Sequence, residues 1–171
     1  MPKPNTPFTR TWRPIEQVQL PATVAHWLND GGSLTQRLRA LGEFRVLPSA
    51  QHIALADLAE RHFLQLPPRH WALIREVTLM VNAHPMVAAR SVLPLPSLQG
   101  KNRRLGQLGS RSLGHELYRH PAAYRDQVWV RYGSPRQGLP PCWGRLSRFI
   151  KRDQPLLVAE YFLPALLAEE Q

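Results

Sequence analysis

"WALIREVTLMVNAHPMVAARSVLPL", residues 71–95, decides the architecture. Two apolar runs, "WALIREVTLMV" and "PMVAARSVLPL", flank "NAHP", a turn signal of hairpin length, so the two runs pair as antiparallel strands. The arrangement recurs near the end of the chain. "WGRLSRFIKRDQPLLVAEYFLP", residues 143–164, reads as a second hairpin turning near Asp153. "EFRVLPS" at 43–49 and "DQVWVRY" at 126–132 are strand-like by composition.

Helical spacing occupies the first third. "LPATVAHWLNDGG" carries Val24, Trp27 and Leu28 and stops at Gly31 and Gly32. Ser33 is positioned to cap "LTQRLRAL", which ends at Gly42. "ADLAERHFLQL" brings Leu58, His62 and Phe63 to one side. "SLQGKNRRLGQL" and "SLGHELYRHPAAY" are helical or looped. Helices beside antiparallel strands give an α+β fold with one antiparallel sheet. At 171 residues the chain is expected to be a single domain over 1–171, with 1–20 as an extended N-terminal segment.

Composition bounds the function. The one cysteine, Cys142, excludes an intramolecular disulfide and suits a reducing compartment. The N-terminus lacks an apolar signal core, and no apolar stretch is long enough to span a bilayer, so a cytoplasmic location is expected. The net charge is +10, and 19 of the 22 basic residues are arginine. Nucleic-acid binders cluster their basic residues on one element. Here they are scattered from Arg10 to Arg152 with one doublet, Arg103–Arg104, so neither nucleic acid nor membrane insertion is expected.

Three ionisable residues interrupt the apolar strands. Alternation puts Arg75 on the face of Val77, Leu79 and Val81, and Glu160 on the face of Leu156, Val158 and Phe162. Arg90 likewise falls between Ala88 and Val92. A charge on such a face must be partnered or neutralised. One reading is a buried Arg–Glu pair joining two strands. The other is a pocket for a flat organic acid, its carboxylate gripped by a guanidinium and its hydroxyl met by a desolvated glutamate. Periodicity does not separate them.

Other motifs fail on spacing. His115 and His120 in "HELYRH" lie five apart, where a zinc-binding helix pair needs four. No G-x-S-x-G elbow occurs, the glycines of "GKNRRLGQLGSRSLG" fit no phosphate loop, and Cys142 beside Trp143 reads as a packed thiol.

"GSLTQRL", "REVTL" followed by "ARSVLP", "LGSRSLG", "WGRLSRF" and "LLVAEYFLP" occur in an order and at intervals that resemble the chorismate–pyruvate lyase family, the 4-hydroxybenzoate synthases of bacterial ubiquinone biosynthesis. The resemblance runs from about Trp27 to Pro164. It implies one α+β domain with helical flaps over an internal site, working without metal or organic cofactor, as a monomer, on chorismate to yield 4-hydroxybenzoate and pyruvate. It further implies that Arg75 binds a carboxylate, that Leu113 offers backbone to the ligand, that Glu160 meets the far end and that Leu34 is a ligand contact. Departures are Leu34 for methionine, Ala89 for glycine, Ser112 for proline and Leu146 for arginine. The alternative is a non-catalytic effector-binding domain of the same fold, as in some transcription regulators, which carry a DNA-binding domain ahead of the sensor.

Overall fold

The computed structural model describes residues 11–169. Residues 1–10 of the expected extended segment lie outside the described residues. Within the remainder, Arg13–Pro14 form β1, and Ile15–Gln17 form a 3-10 turn, so the segment is not extended throughout.

Seven strands make one sheet: β1, β2 (Phe44–Leu55), β3 (Trp71–Val81), β4 (His84–Pro94), β5 (Tyr124–Gly133), β6 (Cys142–Lys151) and β7 (Gln154–Phe162). Their order is β1-β5-β6-β7-β4-β3-β2, and each pairing is antiparallel. Both expected hairpins form on two-residue turns. Asn82 and Ala83 have φ of 49° and 65°, and Arg152 and Asp153 have 46° and 63°. Positive φ at both central positions matches the right-handed twist of the flanking strands.

Strand β2 runs six residues past the expected end at Ser49. It is an edge strand, where Pro48 removes no ladder bond that the sheet needs, and its register shifts between Pro48 and Ala50. Pairing with β3 carries the strand through a proline that local propensity would have used to end it.

Alternation sorts the two faces. Val81, Val87 and Phe162 pack under α1 (Ala22–Leu28), α2 (Leu34–Leu41) and α5 (Pro164–Ala168). Phe149, Leu156 and Val158 pack on the same side under α4 (Leu113–Tyr118). Ile74, Ala88 and Leu157 face the reverse side, where α3 (Leu58–Leu64) contributes Leu64. The capping box of α3 joins Asp57 and Glu60.

Helix α4 is only six residues long and gains support from outside. The Lys151 ammonium donates to the carbonyls of Glu116, Leu117, Arg119 and Pro121 at 2.7–3.3 Å. A cation on the last carbonyls of a helix complements its dipole. This fixes the lower end of one of the two elements that close the site.

Candidate active site

The hairpin registers align the ionisable residues in rows across the sheet. Arg75 on β3 stands beside Ser91 on β4, then Val158 on β7 and Ser147 on β6. The neighbouring row runs Val77, Ala89, Glu160, Arg145. Arg75 and Glu160 therefore share one face, two strands and one row apart. Strand spacing and rise put their Cα atoms roughly 12 Å apart.

Glu160 is 6% exposed and ion-paired, but not with Arg75. Arg145, directly opposite on β6 and 1% exposed, donates Nη2 to Glu160 Oε2 at 2.8 Å. Its Nη1 donates to the carbonyls of Trp27 and Asp30, at 3.2 and 3.0 Å, which ties the end of α1 to the sheet. Removing one member of such a pair strands a charge out of water. Glu160 Oε1 accepts no hydrogen bond among the described residues and belongs to a side chain that lines a cavity.

Arg145 was not singled out in the sequence, although a signal was present. A two-residue turn at Arg152–Asp153 pairs Lys151 with Gln154, and counting back along the hairpin pairs Arg145 with Glu160.

Arg75 is 2% exposed and has no carboxylate within ion-pair reach among the described residues. Its guanidinium is braced on the loop before α4. Nη1 donates to Gly109 O at 2.7 Å and, weakly, to Gln51 Oε1 at 3.5 Å, while Nη2 donates to Arg111 O at 2.8 Å. Three of its five donors are thereby used. Burial pulls its pKa below the ordinary value, the signature of a cation without a counter-charge.

Helices α2 and α4 roof the space between these groups. Ser112 caps α4, accepting from the His115 N–H, and its hydroxyl shares a 2.7 Å hydrogen bond with Thr35 Oγ1 on α2. A side chain at Gly114 would stand 2.6 Å from that Thr35 hydroxyl, so the two helices meet this closely because residue 114 lacks a Cβ. The cavity is about 60 Å³ and is lined by Arg75, Glu160, Leu34 and Leu113 together, with Val77, Leu79, Ala89 and Val158 as apolar walls. It holds a few waters at most, far below the roughly 300 Å³ or more of an occupied ligand pocket. An aromatic acid needs more room than this, so the lining has to move apart to admit one.

Arg90 does not join this cavity. It lies on the reverse face, bound to Glu60 through Nε and Nη2 and to Glu76 through Nη1 at 2.9–3.1 Å. A bulge explains the displacement: Met80 pairs with Pro85 but Leu79 pairs with Val87, so Met86 is an extra residue. That one-residue step puts Arg90 opposite Glu76 and turns it away from Arg75.

Leu146 also faces the reverse side, in a groove with Ala88, Ala159 and Tyr161, while Ala89 floors the cavity. A larger concavity, about 730 Å³, is an open groove beside α3, lined by Leu58, Phe63, Leu66 and Trp129 on the reverse face. It places no pair of opposite charges on apolar walls. Burial pushes the Cys142 thiol up to about 11, which suits a packed side chain. Among the described residues no three histidine, cysteine or acidic side chains converge, and no helix is long and apolar enough to cross a membrane.

Comparison with known proteins gives a consistent picture. The family model described as chorismate lyase matches residues 7–171. A probable chorismate pyruvate-lyase of Alcanivorax borkumensis is 59% identical over 155 residues, covering 91% of this chain and 76% of that protein. One from Pseudomonas aeruginosa is 40% identical over 170 residues, covering 94% of both. The chorismate pyruvate-lyase of Hamiltonella defensa is 35% identical, covering 90% of this chain and 85% of its own. Among solved structures, a possible transcriptional regulator, YydK of Bacillus subtilis, shares the fold with a TM-score of 0.55 at 10% identity, covering 74% of this chain and 61% of that one.

Proposed function

Because the chain belongs to the chorismate lyase family, we propose that it eliminates pyruvate from chorismate to give 4-hydroxybenzoate, the aromatic acid that begins ubiquinone synthesis. Chorismate carries a ring carboxylate, a hydroxyl para to it, and an enolpyruvyl ether beside that hydroxyl. Breaking the ether bond and losing the hydrogen at the hydroxyl-bearing carbon makes the ring aromatic. The leaving enolpyruvyl group gains one hydrogen at its methylene carbon and becomes pyruvate, so no proton is drawn from solvent overall.

Aromatisation supplies the driving force, and the protein's part is positioning and electrostatics. Arg75 clamps the ring carboxylate with the donors its loop contacts leave over, assisted by the backbone N–H of Leu113, the first residue of α4. Glu160 Oε1 accepts from the ring hydroxyl, held in place because its other oxygen is fixed by Arg145. Leu34 and the walls of Val77, Leu79 and Val158 exclude water and strengthen both contacts. With α2 and α4 shut over the site, release of the aromatic product limits turnover. The substrate and products are small molecules; the reading requires neither nucleic acid nor a membrane, and takes the chain as a cytoplasmic monomer.

The observation that carries this reading is the shared enclosure of Arg75 and Glu160 on one sheet face beneath two helices. Incubating the purified chain with chorismate and measuring pyruvate and 4-hydroxybenzoate tests it. Equal yields of both are expected. A chain that binds 4-hydroxybenzoate and forms no pyruvate would be an effector-binding domain instead.

A further inference from the structure

Resting on the lyase reading, we infer that Arg125 is the second carboxylate anchor of the site, holding the enolpyruvyl carboxylate that distinguishes substrate from aromatic product. Arg125 lies near the start of β5 and lines the same cavity as Arg75 and Glu160. Like Arg75, it has no carboxylate within ion-pair reach among the described residues. Burial, and then the nearby Arg145, pull its pKa down, while Glu160 pulls the other way. Arg145 is already committed to Glu160. Arg75, Arg125 and Arg145 thus face one carboxylate, Glu160, and the Asp30 carboxyl near Arg145 is paired with Arg37, which leaves a surplus of two positive charges that a dianion would balance.

The guanidinium is held in place without being used up. Nε donates to Ser147 Oγ at 3.1 Å, and Nη1 donates to Tyr118 Oη at 2.9 Å and Gly31 O at 3.0 Å. Its central carbon lies over the Phe149 ring, 4.7 Å from the ring centre. No acceptor meets Nη2 among the described residues. Arg125 pairs with Phe149 on β6, so its backbone lies four strands and one row from Arg75, roughly 20 Å away, and its side chain reaches back to Ser147, which ends the row that Arg75 begins. Glu160 stands on β7, the strand midway between β3 and β5.

That triangle matches the substitution pattern of the substrate. With the ring carboxylate on Arg75 and the para hydroxyl on Glu160, the ether beside the hydroxyl points along the flank of Glu160, where Arg125 stands. When the ether bond breaks, the departing group keeps its carboxylate on Arg125, and 4-hydroxybenzoate retains no contact there. Arg125 therefore reads substrate and ignores the aromatic product, whereas Arg75 reads both.

The test compares two ligands on the full chain. For Arg125→Gln, the KM for chorismate rises about 30-fold or more, the low end for truncating one side of a buried charged pair, while 4-hydroxybenzoate affinity stays within about threefold. Arg125→Lys recovers part of the loss. An unchanged KM, or a parallel loss of both affinities, overturns the inference. Should Arg125→Gln fail to fold, the unmodified protein decides: 3-(1-carboxyvinyloxy)benzoate is expected to bind about tenfold tighter or more than 3-ethoxybenzoate, which lacks the second carboxylate. Equal affinities would overturn it. Absence of pyruvate from chorismate with the unmodified chain sinks the lyase reading, and the ligand pair still tests Arg125.

Discussion

Arg145 on β6 and Glu160 on β7 are direct cross-strand partners whose side chains meet at 2.8 Å almost entirely out of solvent. The pair satisfies one oxygen of the carboxylate and leaves the other for the cavity. A glutamate inside an apolar strand is thus tolerated structurally and available chemically. Of the two readings that the sequence left open, the ion pair forms, with Arg145 as the partner, and the same glutamate lines the cavity that the ligand-pocket reading requires.

Arg145→Met strands Glu160 as a buried, unpaired charge and releases the carbonyls at the end of α1. A loss of about 3–5 kcal/mol in urea denaturation is expected. Combining it with Glu160→Leu should restore much of that stability while leaving the protein inactive. A double variant as unstable as the single would show that the cost lies elsewhere.

Arg75→Ala removes the proposed carboxylate clamp. Calorimetric titration with 4-hydroxybenzoate should show affinity weaker by roughly 2–5 kcal/mol. Product affinity equal to that of the unmodified chain would remove Arg75 from the site.

Gly114→Ala brings a methyl group against Thr35 Oγ1 where the helices close. Overpacking of this kind costs about 1–3 kcal/mol. The variant is expected to release 4-hydroxybenzoate faster in stopped-flow displacement, because the closed state is the strained one. Adding Thr35→Ala relieves the clash and should recover stability, although the 2.7 Å bond to Ser112 is lost.

Asp30 links the end of α1 to the site, and its carboxyl is held below the ordinary 3.8. Burial works against ionisation, but the Gly32 N–H and the Arg37 and Arg145 guanidinium groups outweigh it. A depressed carboxyl contributes stability that is present above the unfolded value and lost as pH falls through the folded one. Denaturation midpoints of the native chain and Asp30→Asn should therefore differ at pH 7 and converge below pH 3.8. A gap that persists unchanged into acid would contradict the assignment.

Much of the sheet was legible because short turns fix register. Asn82–Ala83 and Arg152–Asp153 leave each hairpin little choice, and alternation then puts Arg75 and Glu160 on apolar faces. The cap at Ser33 made α2 readable, and the spacing of Leu58, His62 and Phe63 did the same for α3. Arg90 does share its face with Ala88 and Val92, but that this face is not Arg75's follows from the extra Met86, which shifts the register by one residue and which alternation along a single strand does not reveal. The continuation of β2 through Pro48 depends on β3, a partner far along the chain. Arg125 escaped notice because a lone arginine at the start of a strand gains meaning only once Ser147, Tyr118 and Gly31 are gathered around it.

A crystal structure of the chain with 4-hydroxybenzoate tests the central claim most directly. The ligand should lie between the sheet and the α2–α4 roof, its carboxylate hydrogen-bonded to the Arg75 guanidinium and its hydroxyl to Glu160 Oε1, with Arg125 untouched. A ligand bound in the reverse orientation, or seated in the groove beside α3, would contradict the account.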